Sequence, residues 1–205
     1  MATANNFFLT ETEVQKTNKS VFVNKTIENH SIYAFLTNYK TTPVNSQNKK
    51  ISLNLQLVSR VSTKGKIKFC NADYTSATTY SQNELLNKPF IKTIHPEMPK
   101  TIMNHIIERL EKGQDAIAIV KHLDKNNNTY WLNMLYKPNM GNNHTIAFSV
   151  KAIPSSKNAI QKINKIYKTI LSLENSNRDF AQKYFTGLLE MEYGNYDGLM
   201  IYAFQ

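Results

Sequence analysis

The stretch AIAIVKHLDKNNNTYWLNMLY, residues 116–136, carries the pattern on which the fold depends. Its first part, Ala116 to Leu123, and its last part, Thr129 to Tyr136, are rich in β-branched and aromatic residues, which favour strands. The loop between them, Asp124 to Asn128, ends in a run of asparagines, which tolerate the left-handed backbone of a tight turn. The stretch therefore predicts two strands joined by a short loop.

Three further strands are predicted outside this hairpin. Downstream, Thr145 to Ile153 alternates apolar and polar residues, as in a strand with one buried face. Upstream, a strand leads through Val58 and Arg60 to the glycine-containing turn Ser62 to Lys66, and Ile67 to Cys70 forms the return strand.

Helices are predicted between the return strand that ends at Cys70 and the strand that begins at Ala116. Asn71 to Thr79 forms a short helical passage, and Ser81 with Glu84 makes the S-x-x-E pattern of a capping box. A longer helix begins near Pro99 and ends at Gly113. Five apolar residues of this longer helix share one stripe: Ile102, Met103, Ile106, Ile107 and Leu110.

The order of these elements predicts an α+β fold. Two strands, several short helices, a longer helix and three strands favour a five-stranded antiparallel sheet with helices on one face. The sheet must bury its apolar face against those helices. A small cavity between the two layers is where such a fold would hold a ligand.

Regions outside this sheet complete the expected organisation. Residues 1–50 are rich in Asn, Thr, Ser and Lys and are predicted to be an N-terminal extension, partly disordered. Residues 51–154 form the expected sensory domain, and residues 155–205 a helical C-terminal segment. In that segment Ile160, Ile163, Tyr167 and Ile170 repeat at heptad-like spacing over a length too short for an independent coiled coil. We therefore expect this helix to pack against the sheet or a partner.

Composition narrows the classes of function. The net charge of +10 is spread along the chain and comes mostly from lysine, which argues against nucleic-acid binding. No apolar run is long enough for a membrane-spanning helix, and a single cysteine, Cys70, excludes an internal disulfide. We expect a cytoplasmic protein. The chain lacks the motifs of nucleophilic catalysis, phosphate loops and metal ligation, so we expect no enzyme.

Two segments resemble one family of sensors. TIHPEMPKTIMNHII (residues 93–107) and IVKHLDKNNNTYWLNMLYKP (residues 119–138) are similar in order and spacing to segments of the PAS domain of bacterial aerotaxis receptors, and the chain from Leu57 to Phe90 resembles the opening of such a domain. The resemblance implies a PAS fold that binds FAD without covalent attachment. It also implies reporting of redox, oxygen or energy state to a chemotaxis transducer or another signalling protein.

The resemblance also implies a set of cofactor-binding residues. They are Asn71 at the start of the first helix, His95 and Glu97 in the HPEMP turn, His122 on the first hairpin strand and Trp131 on the second. A flavin needs an apolar slot and a few polar groups at its pyrimidine edge. Three of these residues also have a simpler interpretation: His95 as a turn residue, His122 as a pocket or solvent-facing group, and Trp131 as core.

Three positions differ from the family pattern. Ile94, Ala116 and His122 stand where the family has an arginine, a tryptophan and an asparagine. These differences favour an alternative, a ligand-free PAS module that assembles a homodimer or recruits a partner. Loss of a dimer on substitution of Ile163 by Asp would support this alternative. For the sensor we expect signalling in trans, through a separate protein.

Overall fold

A six-stranded sheet forms the centre of the protein, for which a computed structural model describes residues 47–140 and 146–205. The strands are β1 (Gln47–Asn48), β2 (Leu57–Val61), β3 (Ile67–Cys70), β4 (Ala116–Leu123), β5 (Asn128–Met140) and β6 (Ile146–Pro154). The order across the sheet is β3-β2-β6-β5-β4, and all of these neighbours are antiparallel.

The five antiparallel strands confirm the predicted sheet, and β1 is an addition. It pairs in parallel with the start of β5, where Gln47 and Asn48 lie beside Asn128 and Thr129. Two polar residues carry no alternation of apolar and polar positions, so no sequence pattern announces this strand. Most of the extension predicted for residues 1–50 lies outside the described residues.

Helices on one side of the sheet begin where the sequence places their caps. These elements are α1 (Ala72–Thr78), α2 (Gln82–Leu85), a 3₁₀ turn (Phe90–Thr93) and α3 (Lys100–Glu111). The side chain of Asn71 caps α1, and Ser81 with Glu84 forms the predicted capping box of α2. All five residues of the α3 stripe are buried, which confirms that helix and its orientation.

The inner face of the sheet is filled by apolar side chains at alternate strand positions. Every second residue of β4, from Ala116 to His122, is buried on this face, and the same holds for β5 from Tyr130 to Tyr136. Phe148 and Val150 of β6 continue the face. Sheet, α1 and α3 therefore enclose one core, as the alternation predicts.

Three further helices follow the sheet. They are α4 (Lys157–Ser176), α5 (Arg178–Leu188), which runs into a π turn (Leu189–Tyr193), and α6 (Tyr196–Phe204). Side chains of Ser156, Asn177 and Asn195 cap the three helices by accepting first-turn amides. The predicted helical C-terminal segment thus divides at Asn177, which caps a new helix.

The C-terminal helices pack against α3 and β4. Ile163, Tyr167 and Ile170 are buried in the same core as the sheet, which confirms that α4 needs a packing surface. Because Ile163 is fully buried within one chain, its substitution by Asp would disrupt the fold and would not report on dimerisation. No helix in residues 47–140 or 146–205 is both long and apolar enough to span a membrane.

Candidate functional site

The HPEMP turn lies along the free edge of β4. Ile94 forms an isolated antiparallel bridge with His122, and the backbone N–H of His95 donates to the carbonyl of Lys121 over 2.9 Å. The N–H of Lys121 in turn donates to Met98 Sδ over 3.3 Å. The HPEMP turn therefore takes the place of a neighbouring strand at the free edge of β4. These bonds fix the turn to the strand that carries His122.

His95 is a buried structural member of this turn. Its Nδ1 accepts a hydrogen bond from the backbone N–H of Glu97 over 3.1 Å. Burial, with the nearby Lys121 ammonium, lowers the pKa of His95 to about 4, so the ring is neutral at pH 7. Glu97 is exposed and forms an ion pair with Lys121, which lowers the pKa of its carboxyl.

His122 points into the core from the inner face of β4. Its Nε2 lies 3.0 Å from Met134 Sδ, and its ring stacks on Tyr130 with ring centroids 5.4 Å apart. Tyr136 donates its hydroxyl to the same sulfur over 3.3 Å. Burial lowers the pKa of His122 to about 3, so the imidazole is neutral at pH 7. A hydrogen bond with the Thr93 backbone acts in the opposite direction and is the smaller effect.

Polar groups gather around His122 in the otherwise apolar core. The hydroxyls of Tyr74 and Thr93 lie 3.0 Å apart in a buried hydrogen bond. The Tyr130 hydroxyl, buried beside them, has no hydrogen-bond partner among the described residues, and His122 Nδ1 makes no well-formed bond there either. We call Tyr74, Thr93, His122 and Tyr130 the interior polar cluster. The unpaired Tyr130 hydroxyl of this cluster could bond a small polar ligand or a water molecule.

Sequence reasoning found His122 and missed the other three cluster members. The register pairs His122 with Tyr130. A five-residue loop after Leu123 already implies this pairing, so Tyr130 could have been found from the hairpin alone. Tyr74 and Thr93 lie on α1 and the 3₁₀ turn, and no local pattern predicts that these elements meet.

The side chains of Asn71 and Trp131 do not belong to the cluster. The Asn71 side chain is occupied by backbone: its oxygen accepts from the amides of Tyr74 and Val58, and its amide donates to the Gln56 carbonyl. Trp131 lies on the opposite face of β5 from Tyr130 and packs against Tyr167 of α4, with ring centroids 6.3 Å apart. The structure does not bring the five predicted cofactor residues together.

Side chains occupy the interior between the sheet and the helices in this arrangement. The space between sheet and helices holds large side chains that are less than 2% exposed, among them Tyr136, Phe148, Leu132, Ile102 and Ile106. An isoalloxazine ring would need these side chains to move. Within the part of the chain that the structure describes, no group of three His, Cys, Asp or Glu side chains is placed to hold a metal ion.

The start of α3 connects the HPEMP turn to the C-terminal helices. The Glu174 carboxylate of α4 accepts hydrogen bonds from the backbone amides of Lys100, over 3.0 Å, and Thr101, over 2.6 Å. These are free amides of the first turn, where a carboxylate is stabilising. Pro99 supplies no capping side chain, so Glu174 takes the place of a local cap.

Comparisons with known proteins agree with this architecture. Residues 57–151 match the family model described as the PAS fold. The aerotaxis receptor of Escherichia coli is 24% identical over 135 residues, which make up 66% of this chain and 27% of the receptor. The chain thus spans about a quarter of that relative's length.

Solved structures include similar chains. A PAS domain from Colwellia psychrerythraea is 16% identical with a TM-score of 0.46, and the match covers 50% of this chain and 88% of that one. The PAS-B domain of Drosophila melanogaster Cycle is 18% identical with a TM-score of 0.45, over 48% of this chain and 99% of the other. The expected fold is confirmed by the family match and the sheet order: residues 57–151 are a PAS domain.

Proposed function

We propose that this protein is a cytoplasmic, non-catalytic signalling module of the aerotaxis type. In this proposal the interior polar cluster responds to a signal, and the C-terminal helices pass the response to a partner protein such as a chemotaxis transducer. The observation that carries the proposal is the direct bonding of α4 to the start of α3, immediately after the turn that is fixed to β4.

Each step of this connection is a direct contact between residues of neighbouring elements. A change at His122 would act on the bridge to Ile94 and on the backbone bond between His95 and Lys121. The turn leads within a few residues into the first amides of α3. Glu174 bonds these amides, so a shift of the turn changes how firmly α4 is held.

The connection can be tested by substituting Glu174 with Gln in the full chain. Loss of the carboxylate charge at a helix N-terminus should speed hydrogen exchange at the Lys100 and Thr101 amides and along α4 to α6. Glu192→Gln is the matched control, because Glu192 is exposed in the same helical region. Unchanged exchange in α4 to α6 of the Glu174 variant would overturn the proposed connection.

The proposed signal is the redox, oxygen or energy state. Its support is the likeness to the aerotaxis receptor and the buried, unpaired hydroxyl of Tyr130, whose ring stacks on His122. A flavin would supply redox chemistry, and His122 and Tyr130 are the interior groups that could meet its polar edge. Because the interior is filled in the present arrangement, FAD stays a prediction.

The visible absorption spectrum of protein purified from its native host decides between a flavin sensor and a ligand-free module. A visible flavin spectrum, or uptake of added FAD, supports the sensor. Colourless protein that takes up no FAD overturns the flavin prediction and supports the alternative, for which the filled inner face already argues. Loss of oxygen-directed swimming in cells without the protein would support aerotaxis signalling in both cases. Unchanged oxygen-directed swimming would count against it.

A further inference from the structure

The outer side of the sheet, away from α1 and α3, carries only positive charge over much of its area. No Asp or Glu occurs in β2, β3, β5, β6 or the turn at residues 62–66. Charge that is diluted along the sequence is therefore concentrated here by the fold. The basic residues of these segments are all exposed: Arg60, Lys64, Lys66, Lys68, Lys137 and Lys151. We call these six residues the basic face.

The strand register places several of these side chains next to one another. Arg60 pairs with Phe69 of β3 and with Ser149 of β6, and Ser149 pairs with Lys137 of β5. Directly opposed residues point to the same side of a sheet, so these four side chains form a row. Lys151 lies two positions after Ser149 and points to the same side. The positive groups are thus neighbours on one surface.

Most charges of the basic face have no acidic partner. Lys137 pairs with Asp115 at 3.3 Å, and Lys68 donates to the side-chain oxygen of Asn87 over 2.7 Å. Within residues 47–140 and 146–205, no ion pair involves the other four members: Arg60, Lys64, Lys66 and Lys151. Uncompensated charges of one sign produce a positive potential over this surface, which attracts anions.

A groove opens in the basic face beside an exposed aromatic ring. It has a volume of about 520 Å³, and its polar lining consists of Arg60, Ser62, Lys68, Asn139 and Ser149. The remaining lining residues are apolar. Phe69 is 43% exposed, and the Arg60 guanidinium lies over its ring, 5.8 Å from the centroid. The groove, its cations and the exposed ring therefore lie side by side.

We infer that the basic face binds the surface of a membrane that contains anionic lipids, with a headgroup phosphate in the groove and the Phe69 ring at the level of the headgroups. Arg60 and Lys68 supply charge-assisted hydrogen bonds to the phosphate. An exposed aromatic ring beside basic side chains is suited to the boundary between headgroups and acyl chains.

The kind of charge selects a lipid surface over a nucleic acid. The basic face has one arginine and five lysines. Lysine is a compact charge without a fixed hydrogen-bonding geometry, so it suits a diffuse layer of anionic headgroups, whereas arginine is preferred for bidentate contacts to bases and phosphates. The face lies on the opposite side of the sheet from His122, so membrane binding is independent of what the interior polar cluster senses.

Co-sedimentation of the full chain with lipid vesicles tests the inference. Wild-type protein should bind vesicles of phosphatidylglycerol and phosphatidylcholine in equal parts, but not vesicles of phosphatidylcholine alone. Raising the salt concentration from about 0.1 M to about 1 M should release the protein, because the Debye length falls from about 10 Å to about 3 Å.

Removal of two charges tests whether the basic face is the site. The double variant K66Q/K151Q should weaken binding to the acidic vesicles about 25-fold, at about fivefold for each lysine near the membrane surface. The matched control is K112Q/K183Q, which removes two exposed lysines at the end of α3 and on α5 and should leave binding nearly unchanged.

Phe69→Trp tests whether the ring enters the membrane surface. On acidic vesicles its fluorescence should shift to shorter wavelength relative to wild-type protein, in which Trp131 is the single tryptophan. Phe69→Ser should weaken binding by about tenfold, because no apolar ring then leaves water.

The contrary results are distinct. Failure to bind acidic vesicles, or equal binding to neutral ones, overturns the inference. Equal losses in K66Q/K151Q and K112Q/K183Q overturn the basic face as the site, since net charge alone then explains the binding. A chain that ignores vesicles but binds a single-stranded oligonucleotide or polyglutamate, and loses this binding in K66Q/K151Q, assigns the face to nucleic acid or to an acidic protein instead. Circular dichroism confirms that each variant is folded, as expected for substitutions at exposed positions.

Discussion

His122 is a buried neutral imidazole in the core of the domain, and its protonation is opposed by its surroundings. Burial lowers its pKa from the ordinary 6.5 to about 3, so the folded chain does not take up a proton at this ring above about pH 3. The unfolded chain does so below pH 6.5. Stability should therefore fall as the pH drops through this range.

Between pH 7 and pH 5, His122 should lower the free energy of unfolding by about 2 kcal/mol, at about 1.4 kcal/mol per pH unit below pH 6.5. His122→Phe keeps an aromatic ring beside Tyr130 and removes the titration. Denaturant unfolding at both pH values should show a smaller pH dependence in this variant than in wild type. His95 and His105, whose pKa values burial also lowers, contribute in the same direction and retain part of the slope. Equal slopes in the two proteins would contradict the buried neutral ring.

Asn71 provides a second residue-level prediction. Because its oxygen accepts from the amides of Tyr74 and Val58 and its amide donates to Gln56, Asn71→Ala should destabilise the protein by about 1–2 kcal/mol. Asn71→Asp keeps both acceptor bonds and should cost less. Thermal unfolding measures both. An alanine variant no less stable than the aspartate variant would refute the capping role, whatever the effect on any cofactor.

Residues whose roles are local were predictable, and residues whose roles depend on tertiary contacts were not. The Ser81 and Glu84 pair was predicted because a capping box is complete within four residues. Thr93 was missed because its partner Tyr74 comes from another element. The resemblance suggested Asn71 as a cofactor residue, while the structure uses all its hydrogen-bonding groups on the backbone.

At the scale of elements, β4 is an edge strand whose free backbone groups are covered. The HPEMP turn bonds the amide and carbonyl of Lys121, and Tyr167 of α4 donates its hydroxyl to the Ile119 carbonyl over 3.0 Å. Covered edges resist pairing with other chains. Strand periodicity predicts β4 itself, but it does not show which segment covers the edge, because the covering residues come from distant parts of the chain.

Tyr167→Phe tests the covering of β4 by α4. It keeps the buried ring and leaves the Ile119 carbonyl without its donor, so it should destabilise the protein by about 1 kcal/mol. Tyr202→Phe, at a ring that is 40% exposed, is the matched control and should have almost no effect. The comparison uses chemical denaturation midpoints. Equal stability of the two variants would show that the Tyr167 hydroxyl does not matter to the docking.

At the scale of the whole molecule, the core extends past the predicted end of the PAS domain. A boundary after residue 154 follows from the last strand and the start of a new helical pattern. The packing crosses this boundary: His105 of α3 contacts Phe185 and Tyr196, with ring centroids 5.7 and 4.5 Å apart. Arg109 of α3 also pairs with Asp197 at 3.3 Å. Such contacts join residues some 80 positions apart, which periodicity cannot predict.

A chain truncated after Ser156 tests how far the domain depends on α4 to α6. Truncation removes the Glu174 cap of α3, the Tyr167 bond to β4 and the rings that cover His105. The uncovered side of α3 exposes apolar surface, so the truncated chain should unfold at lower temperature, with a broader transition, and should bind hydrophobic dyes.

A second truncation, after Tyr193, provides a case between the full chain and the shorter one. It removes α6 alone and keeps the contacts of α4 with α3 and β4, so its unfolding temperature should lie between those of the full chain and the shorter one. Because the lost contacts belong to one core, each truncation should lower the stability of the whole remaining chain cooperatively, and not only that of the helices. A chain ending at Ser156 that unfolds as sharply and at the same temperature as the full chain would show that the C-terminal helices are a separate unit. In that case a signal from the PAS domain could not reach them through packing and would need another route.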